Sequence, residues 1–282
     1  MTGRLLPGRP VADAILGSLT ERVARIRERA HVPHLAFVMI GESPPAEVYI
    51  HRLERLGARV GASVSRVPLP AGVALSDLER TLGDLNADEV VDGILVQMPL
   101  PDHLTGADLS HVVDIRKDVD GVTIQNVGRL YLGVEGQAPP TALAMMQMLA
   151  SAGVEATGRH AVVVGRSNVV GHPVTELLLQ QDATVTVTHR QTGDLGALTR
   201  QAEILMVGAG DPGLITRDMI SDGVVIIDAG INVTEHGVVG DVAFDECREA
   251  AAAITPVPGG VGPVTNAMLL RNLVDSAEQR VD

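Results

Sequence analysis

The sequence predicts an α/β protein with mainly parallel sheets, laid out as two successive units. Three observations predict it. Short apolar runs alternate with longer stretches of helical periodicity along the whole chain. A proline-rich break near residue 138 divides that alternation into two series. The second series opens with a buried strand, a glycine turn and a helix start in immediate succession.

The elements follow in order. Val11, Ile15, Leu19, Val23 and Ile26 recur at near-helical spacing across residues 10–30. HLAFVMIG (34–41) reads as a short apolar strand, and residues 45–61 return to helical periodicity. SVSRVPLP (63–70) reads as a strand and SDLERTLGDLN (76–86) as a capped helix. DGILVQMPLP (92–101) reads as a buried strand ending in prolines. Residues 137–158 combine a Pro-rich turn with a long Met/Leu helix whose methionines read as core. In the second series AVVVG (161–165), ATVTVTH (183–189), EILMVGAG (203–210) and VVIIDAG (224–230) are strands, and residues 172–181 form a helix. ITPVPGGVGPVT (254–265) reads as a structured loop and residues 266–281 as a closing helix. The boundary is expected near residue 138, with residues 1–137 as one domain and 138–265 as the other.

Bulk properties narrow the function. The 282 residues carry a formal net charge of −13. That argues against phosphate-backbone binding, and 1% aromatics without tryptophan removes base-stacking platforms, so no nucleic-acid partner is expected. Neither a membrane-length apolar run nor a basic leader with a cleavage site is present, so no membrane partner and no signal peptide are expected. A lone cysteine, Cys247, makes no intramolecular disulfide and fits a cytoplasmic chain. His51, His103 and His111 lack metal-ligand spacing, and CxxC and HExxH motifs are absent; no metal is expected. The sole lysine of the chain is Lys117.

GRSNVVG (165–171) links a strand to a helix. Such a turn aims helix N-terminal amides at whatever lies above the strand, and Pro173 in the first helical turn gives up no hydrogen bond. The spacing differs from the G-x-G-x-x-G fingerprint, and by itself it fits a pyrophosphate site and an ordinary strand–turn–helix connection equally. The next strand sharpens the choice. It ends Thr188, His189, Arg190, Gln191, with no carboxylate for a ribose 2′-hydroxyl. Arg190, with Arg166 from the turn, offers a partner for a 2′-phosphate, which favours NADP over NAD.

The segments DGILVQMPLP, KDVDG (117–121), NVGRL (126–130), VVVGRSNVVGHP (162–173), DAGIN (228–232), GDV (240–242) and TPVPGGVGPVT (255–265) resemble, in order and over nearly the whole chain, the bifunctional methylenetetrahydrofolate dehydrogenase/cyclohydrolases. The resemblance implies an N-terminal α/β domain, a Rossmann-type dinucleotide-binding domain, an interdomain cleft, a last helix (266–282) that packs back on the first domain, and a homodimer. It implies Tyr49, Gln97 and Asp120 as catalytic residues, Tyr49 and Asp120 also contacting the folate. The wall Pro258, Gly259, Gly260, Val261, Gly262 and Pro263 would line the aminobenzoyl part. Thr141, Gly165, Arg166, Ser167, Gly171, Arg190 and Ile231 would contact NADP.

The chain departs from the family at several points. The P-C-T-P-x-G stretch is Pro139–Ala144, G-F-H-P is Gly121–Ile124, and a usual serine is Arg190. Above all, the lysine expected four residues after the tyrosine is Leu53. The expected function is oxidation of 5,10-methylenetetrahydrofolate to the methenyl form with NADP⁺, with cyclohydrolase activity in doubt. Two other functions fit the departures: an oxidoreductase acting on a non-folate aminal or imine, and a non-catalytic ligand-binding relative.

Overall fold

The computed structural model describes residues 2–104, 108–235 and 237–281. Among them the elements run β1 (Arg4–Leu5), α1 (Gly8–Glu28), β2 (His34–Ile40), α2 (Pro44–Val60), β3 (Ser63–Leu69), α3 (Leu75–Ala87), β4 (Gly93–Val96), α4 (Ile124–Leu132), α5 (Pro140–Ser151), β5 (His160–Val164), α6 (Gly171–Leu179), β6 (Thr184–Thr188), α7 (Leu195–Thr199), β7 (Ile204–Val207), β8 (Val225–Asp228), β9 (Asn232–Thr234), β10 (Gly237–Val239), α8 (Phe244–Arg248), β11 (Ala253–Ile254) and α9 (Val261–Val281). Two compact units result. One comprises residues 1–13, 130–134 and 139–268, the other 14–129, 135–138 and 269–282. No helix among the described residues is long and apolar enough to cross a membrane.

The second of these units holds a three-stranded parallel sheet, order β3-β2-β4, with His34 opposite Ser63 and Leu35 opposite Gly93. β2 and β4 are apolar because they are buried, whereas β3, at one edge, carries Ser63, Ser65 and Arg66 and is only partly covered. Ala36, Val38 and Ile40 of β2 pack with Ile94 of β4 and with Leu78 and Leu82 of α3. α2 starts where Ser43, in extended conformation, accepts the Ala46 amide, with proline in the first turn. It stops at Gly61, whose φ of 87° closes a left-handed cap. Ala46, Ile50, Leu53, Gly57 and Val60 form its buried stripe.

The other unit is built on a six-stranded parallel sheet, order β1-β11-β8-β7-β5-β6. From β5 the chain crosses by α6 to β6 on one side and then returns to β7 on the other. The strand order therefore reverses between β5 and β7, and the loops beyond their C-terminal ends diverge to leave a crevice. An antiparallel hairpin, β9–β10, follows β8.

The residues 254–265 differ from the expected loop. β11 ends at Ile254 and α9 already begins at Val261, so Val261, Gly262 and Pro263 belong to its first turn. Pro263 is tolerated there because the first helical amides have no intrahelical partner in any case.

Candidate active site

In the unit containing β2–β4, the loops beyond the C-terminal ends of β2 and β4 enclose a cavity of about 390 Å³. Its walls include Phe37, Ser43, Tyr49, Gln97, Met98 and Asp120. Tyr49, Gln97 and Asp120, from three separate segments, thus face one space. Tyr49 meets Phe37 edge-on, ring centroids 6.0 Å apart. Burial, then the Asp120 charge, raises the Tyr49 hydroxyl well above its ordinary value, so the phenol stays protonated. The Gln97 backbone N–H donates to the Val38 carbonyl at 2.9 Å, while its side-chain oxygen is buried with no donor among the described residues. A buried acceptor left open in a cavity wall is suited to a ligand donor.

Asp120 sits in a tightly braced turn. Asp118, 2% exposed, accepts the Thr123 amide at 2.8 Å, the Thr123 hydroxyl at 2.7 Å and the Asn126 side chain at 2.9 Å. This ties the turn to the start of α4. Gly121 has a φ of 63°, and a Cβ there would meet the Ala138 backbone at 2.6 Å. The Asp120 carboxylate has no hydrogen-bond partner among the described residues. Burial, then the Asp118 charge, pushes it up to about 7. Leu53 lies one helical turn beyond Tyr49, is wholly buried, and is not part of the wall. Lys117 is committed elsewhere: its Nζ donates to the Leu85 and Asp88 carbonyls at 2.8 and 2.6 Å.

The other unit carries a cavity of about 670 Å³ at its strand-order reversal. Gly165, Arg166 and Ser167 beyond β5, Arg190 beyond β6 and Gly208 beyond β7 line it. Gly165 has a φ of 115°, and a Cβ there would strike the Gly208 carbonyl oxygen. Gly171 lies against Gly165 so closely that its own Cβ would strike that residue's backbone. The backbone can therefore approach a bulky anion in a way side chains would block. Arg166 and Arg190 are exposed, and no carboxylate pairs with either among the described residues. Thr141, in the first turn of α5, and Ile231, exposed after β8, are outside this lining. Pro258, Gly259 and Gly260 form the turn before α9, where the Gly8 amide donates to Gly259 at 2.8 Å.

Two buried carboxylates that the sequence reading did not single out brace the loops of this unit, and Asp241 holds Ala209 and Asp211 of the cavity lining. Asp241, wholly buried, accepts the amides of Ala209, Gly210 and Asp211 at 2.6, 2.9 and 3.0 Å and the Asn232 side chain at 2.8 Å. Asp228, pushed up to about 7 mainly by burial, accepts the amides of Gly230 and Val242 at 2.8 and 3.0 Å. Gly240 and Gly230 are glycine because a Cβ at either would strike Asp228 or Asp241 respectively. The only trace in the sequence is that DAGIN and GDV each pair an acid with a glycine.

A sequence model of the tetrahydrofolate dehydrogenase/cyclohydrolase catalytic domain matches residues 6–120, and one of the same family's NAD(P)-binding domain matches residues 139–281. The chain belongs to this family. It is 44% identical to the bifunctional protein FolD of Moorella thermoacetica over 99% of this chain and 100% of that protein. It superposes on the bifunctional FolD dehydrogenase/cyclohydrolase of Campylobacter jejuni with a TM-score of 0.94 at 39% identity, covering 98% of this chain and 99% of that one. The Trypanosoma brucei enzyme, solved with NADP cofactor and an inhibitor, gives a TM-score of 0.93 at 37% identity, covering 99% and 98%. Membership makes the chain an enzyme with an NAD(P)-binding domain, and the cavity at the strand reversal lies within the stretch matched by that domain.

Proposed function

We propose that the chain is an NADP-dependent methylenetetrahydrofolate dehydrogenase with little or no cyclohydrolase activity. The observation that carries this reading is the composition of the wall around Tyr49. Among the described residues, its only ionisable side chains are Tyr49 and Asp120. Leucine stands where the family places lysine, and the one lysine of the chain is spent on the end of α3.

Asp120 would accept from the pterin edge, which presents adjacent N–H donors. Tyr49 would stack on the folate and Gln97 would orient the bridge. Pro258 to Pro263 would line the aminobenzoyl part. Gly165, Arg166, Ser167, Gly171 and Arg190, with Thr141 and Ile231, would hold NADP; the two free arginines match a 2′-phosphate. NADP⁺ supplies the hydride acceptor.

The two family reactions make different demands on the protein. Loss of hydride from the methylene carbon is driven by the flanking nitrogens and moves no proton, so alignment is the protein's main task. Hydrolysis of the methenyl cation requires attacking water to lose a proton and a ring nitrogen to gain one. Tyr49 stays protonated and cannot be the base. Arg52, beside it on α2, carries a guanidinium, which has no acceptor to offer. With the Asp120 carboxylate taken up by the pterin edge in this reading, a cavity built this way supports the first reaction and leaves the second without a free base.

Turnover of methylenetetrahydrofolate with NADP⁺ tests the reading. Oxidation is expected, with NAD⁺ a poor substitute. Reduction of NADP⁺ with a different cyclic aminal, and none with the folate, would move the assignment to the non-folate reading. Binding of both ligands without turnover would favour the non-catalytic one. A homodimer belongs to the same reading, and sedimentation checks it.

A further inference from the structure

Of the 22 lysine and arginine side chains in this protein, all but one are arginine. The exception, Lys117, is 9% exposed and ends on two backbone carbonyls, Leu85 at 2.8 Å and Asp88 at 2.6 Å, at the C-terminal end of α3. These are carbonyls that a helix end leaves without an internal partner. A cation there also meets the negative end of the helix dipole. An ammonium converges its donors from one tetrahedral nitrogen, whereas a guanidinium spreads them over a plane. The geometry therefore accounts for lysine at this one position.

The same residue opens the turn that ends in Asp120. The Lys117 carbonyl accepts the Ile94 amide at 2.7 Å. Asp118 binds the start of α4. The Val119 carbonyl accepts the Asn272 side chain at 2.8 Å, and the Val119 side chain is wholly buried. Three consecutive residues are thus anchored, and the fourth, Asp120, is left with its carboxylate unpaired in the cavity wall. We propose that Lys117 is a positioning residue for substrate binding: by clamping the 117–121 turn to the end of α3, it holds Asp120 toward the cavity. The proposal rests on the reading that Asp120 receives the pterin.

A second cavity, of about 450 Å³, is lined by Lys117 and not by Asp120. Asp88, Asp92, Arg116, Gln279 and Arg280 also line it. It gives a small amine access to the place the lysine side chain occupies, and that makes the proposal testable by chemical rescue.

The experiment compares full-length wild type, Lys117→Ala, Lys117→Arg and Asp120→Ala. Arg116→Ala, an exposed neighbour paired with Asp114 at 2.7 Å, is the control. KM and kcat for methylenetetrahydrofolate, NADP⁺ affinity and thermal unfolding are measured with and without propylammonium. Lys117→Ala is expected to raise the folate KM by about tenfold, equivalent to ~1.4 kcal/mol, with NADP⁺ affinity unchanged. Propylammonium is expected to restore the KM, and tetramethylammonium, which cannot donate a hydrogen bond, is not. Lys117→Arg is expected to fall short of wild type, and Arg116→Ala to match it. If Asp120→Ala raises the folate KM and Lys117→Ala does not, the positioning role is wrong. If folate and NADP⁺ binding fall together in Lys117→Ala and the amine restores neither, the lysine serves general stability only and the proposal is overturned. If Asp120→Ala leaves the folate KM unchanged, the underlying assignment of Asp120 fails, and with it this proposal.

Discussion

Leu53 follows Tyr49 by one turn of α2, yet only Tyr49 faces the cavity. The tyrosine ring forms part of the wall against Phe37, while Leu53 is wholly buried on the helix's core stripe beside Ile50. The substitution therefore does more than delete a charge. It puts an apolar side chain on the buried stripe, outside a wall in which the Gln97 side-chain oxygen has no donor among the described residues. Leu53→Lys is expected to raise hydrolysis of methenyltetrahydrofolate specifically. It is also expected to cost about 1–3 kcal/mol of stability, because an ammonium replaces a buried leucine. Product analysis and thermal unfolding read the two effects. Unchanged hydrolysis in a folded variant would show that lysine at 53 does not reach the bridge.

Arg190 is exposed, lines the larger cavity and has no carboxylate partner among the described residues. Arg190→Ala is expected to weaken NADP binding by roughly tenfold or more, the effect of losing a charge-assisted hydrogen bond of about 1.5–3 kcal/mol. NAD binding is expected to change little. Fluorescence titration with both cofactors checks this, and equal losses would remove Arg190 as the discriminator.

Asp120 carries a pH prediction. Burial pushes it from 3.8 up to about 7, so the native state holds its proton longer than the unfolded chain does. The stability contributed by neutral Asp120 is complete below the unfolded value near 3.8 and is lost as pH rises through about 7. Asp120→Asn, which cannot ionise, is expected to gain stability relative to wild type as pH climbs through that window. Folate recognition runs the other way, because the pterin donors need the carboxylate. The wild-type kcat/KM for folate is expected to rise with pH through about 7, and the variant to be weak and flat. Parallel pH profiles would dissociate Asp120 from substrate binding.

Gly165 tests the cofactor pocket through the backbone. Its φ of 115° is foreign to residues with a side chain, and a Cβ would strike the Gly208 carbonyl oxygen. Gly165→Ala is expected to lose most NADP affinity and to lower the unfolding temperature. An alanine variant that binds NADP normally would mean the turn does not cradle the pyrophosphate.

The legible parts of the fold were those with long periodicity. α1, α2, β2 and β5 announce themselves by apolar spacing because each buries a full stripe or a whole strand. α7 and α8, five residues each, are too short to show a period, and β1 and β11 are two-residue strands defined by their pairing with each other and, for β11, with β8. α4 was hidden because its start is organised by Asp118, which lies outside the helix. The site divides in the same way. Tyr49, Gln97 and Asp120 stand in recognisable motifs and meet in one cavity. Asp241 acts on amides about thirty residues upstream, and Lys117 on carbonyls about thirty residues upstream. No local pattern encodes such pairings, since they exist only once the chain has folded.

The central claim is that oxidation survives Leu53 and assisted hydrolysis does not. The most direct measurement mixes the purified protein with methylenetetrahydrofolate and NADP⁺ and follows NADPH, the methenyl product and the formyl product together. The expected result is methenyl product accumulating in step with NADPH and then decaying at the rate seen without enzyme. Formyl product appearing well above that spontaneous rate, with little methenyl accumulating, would contradict the claim.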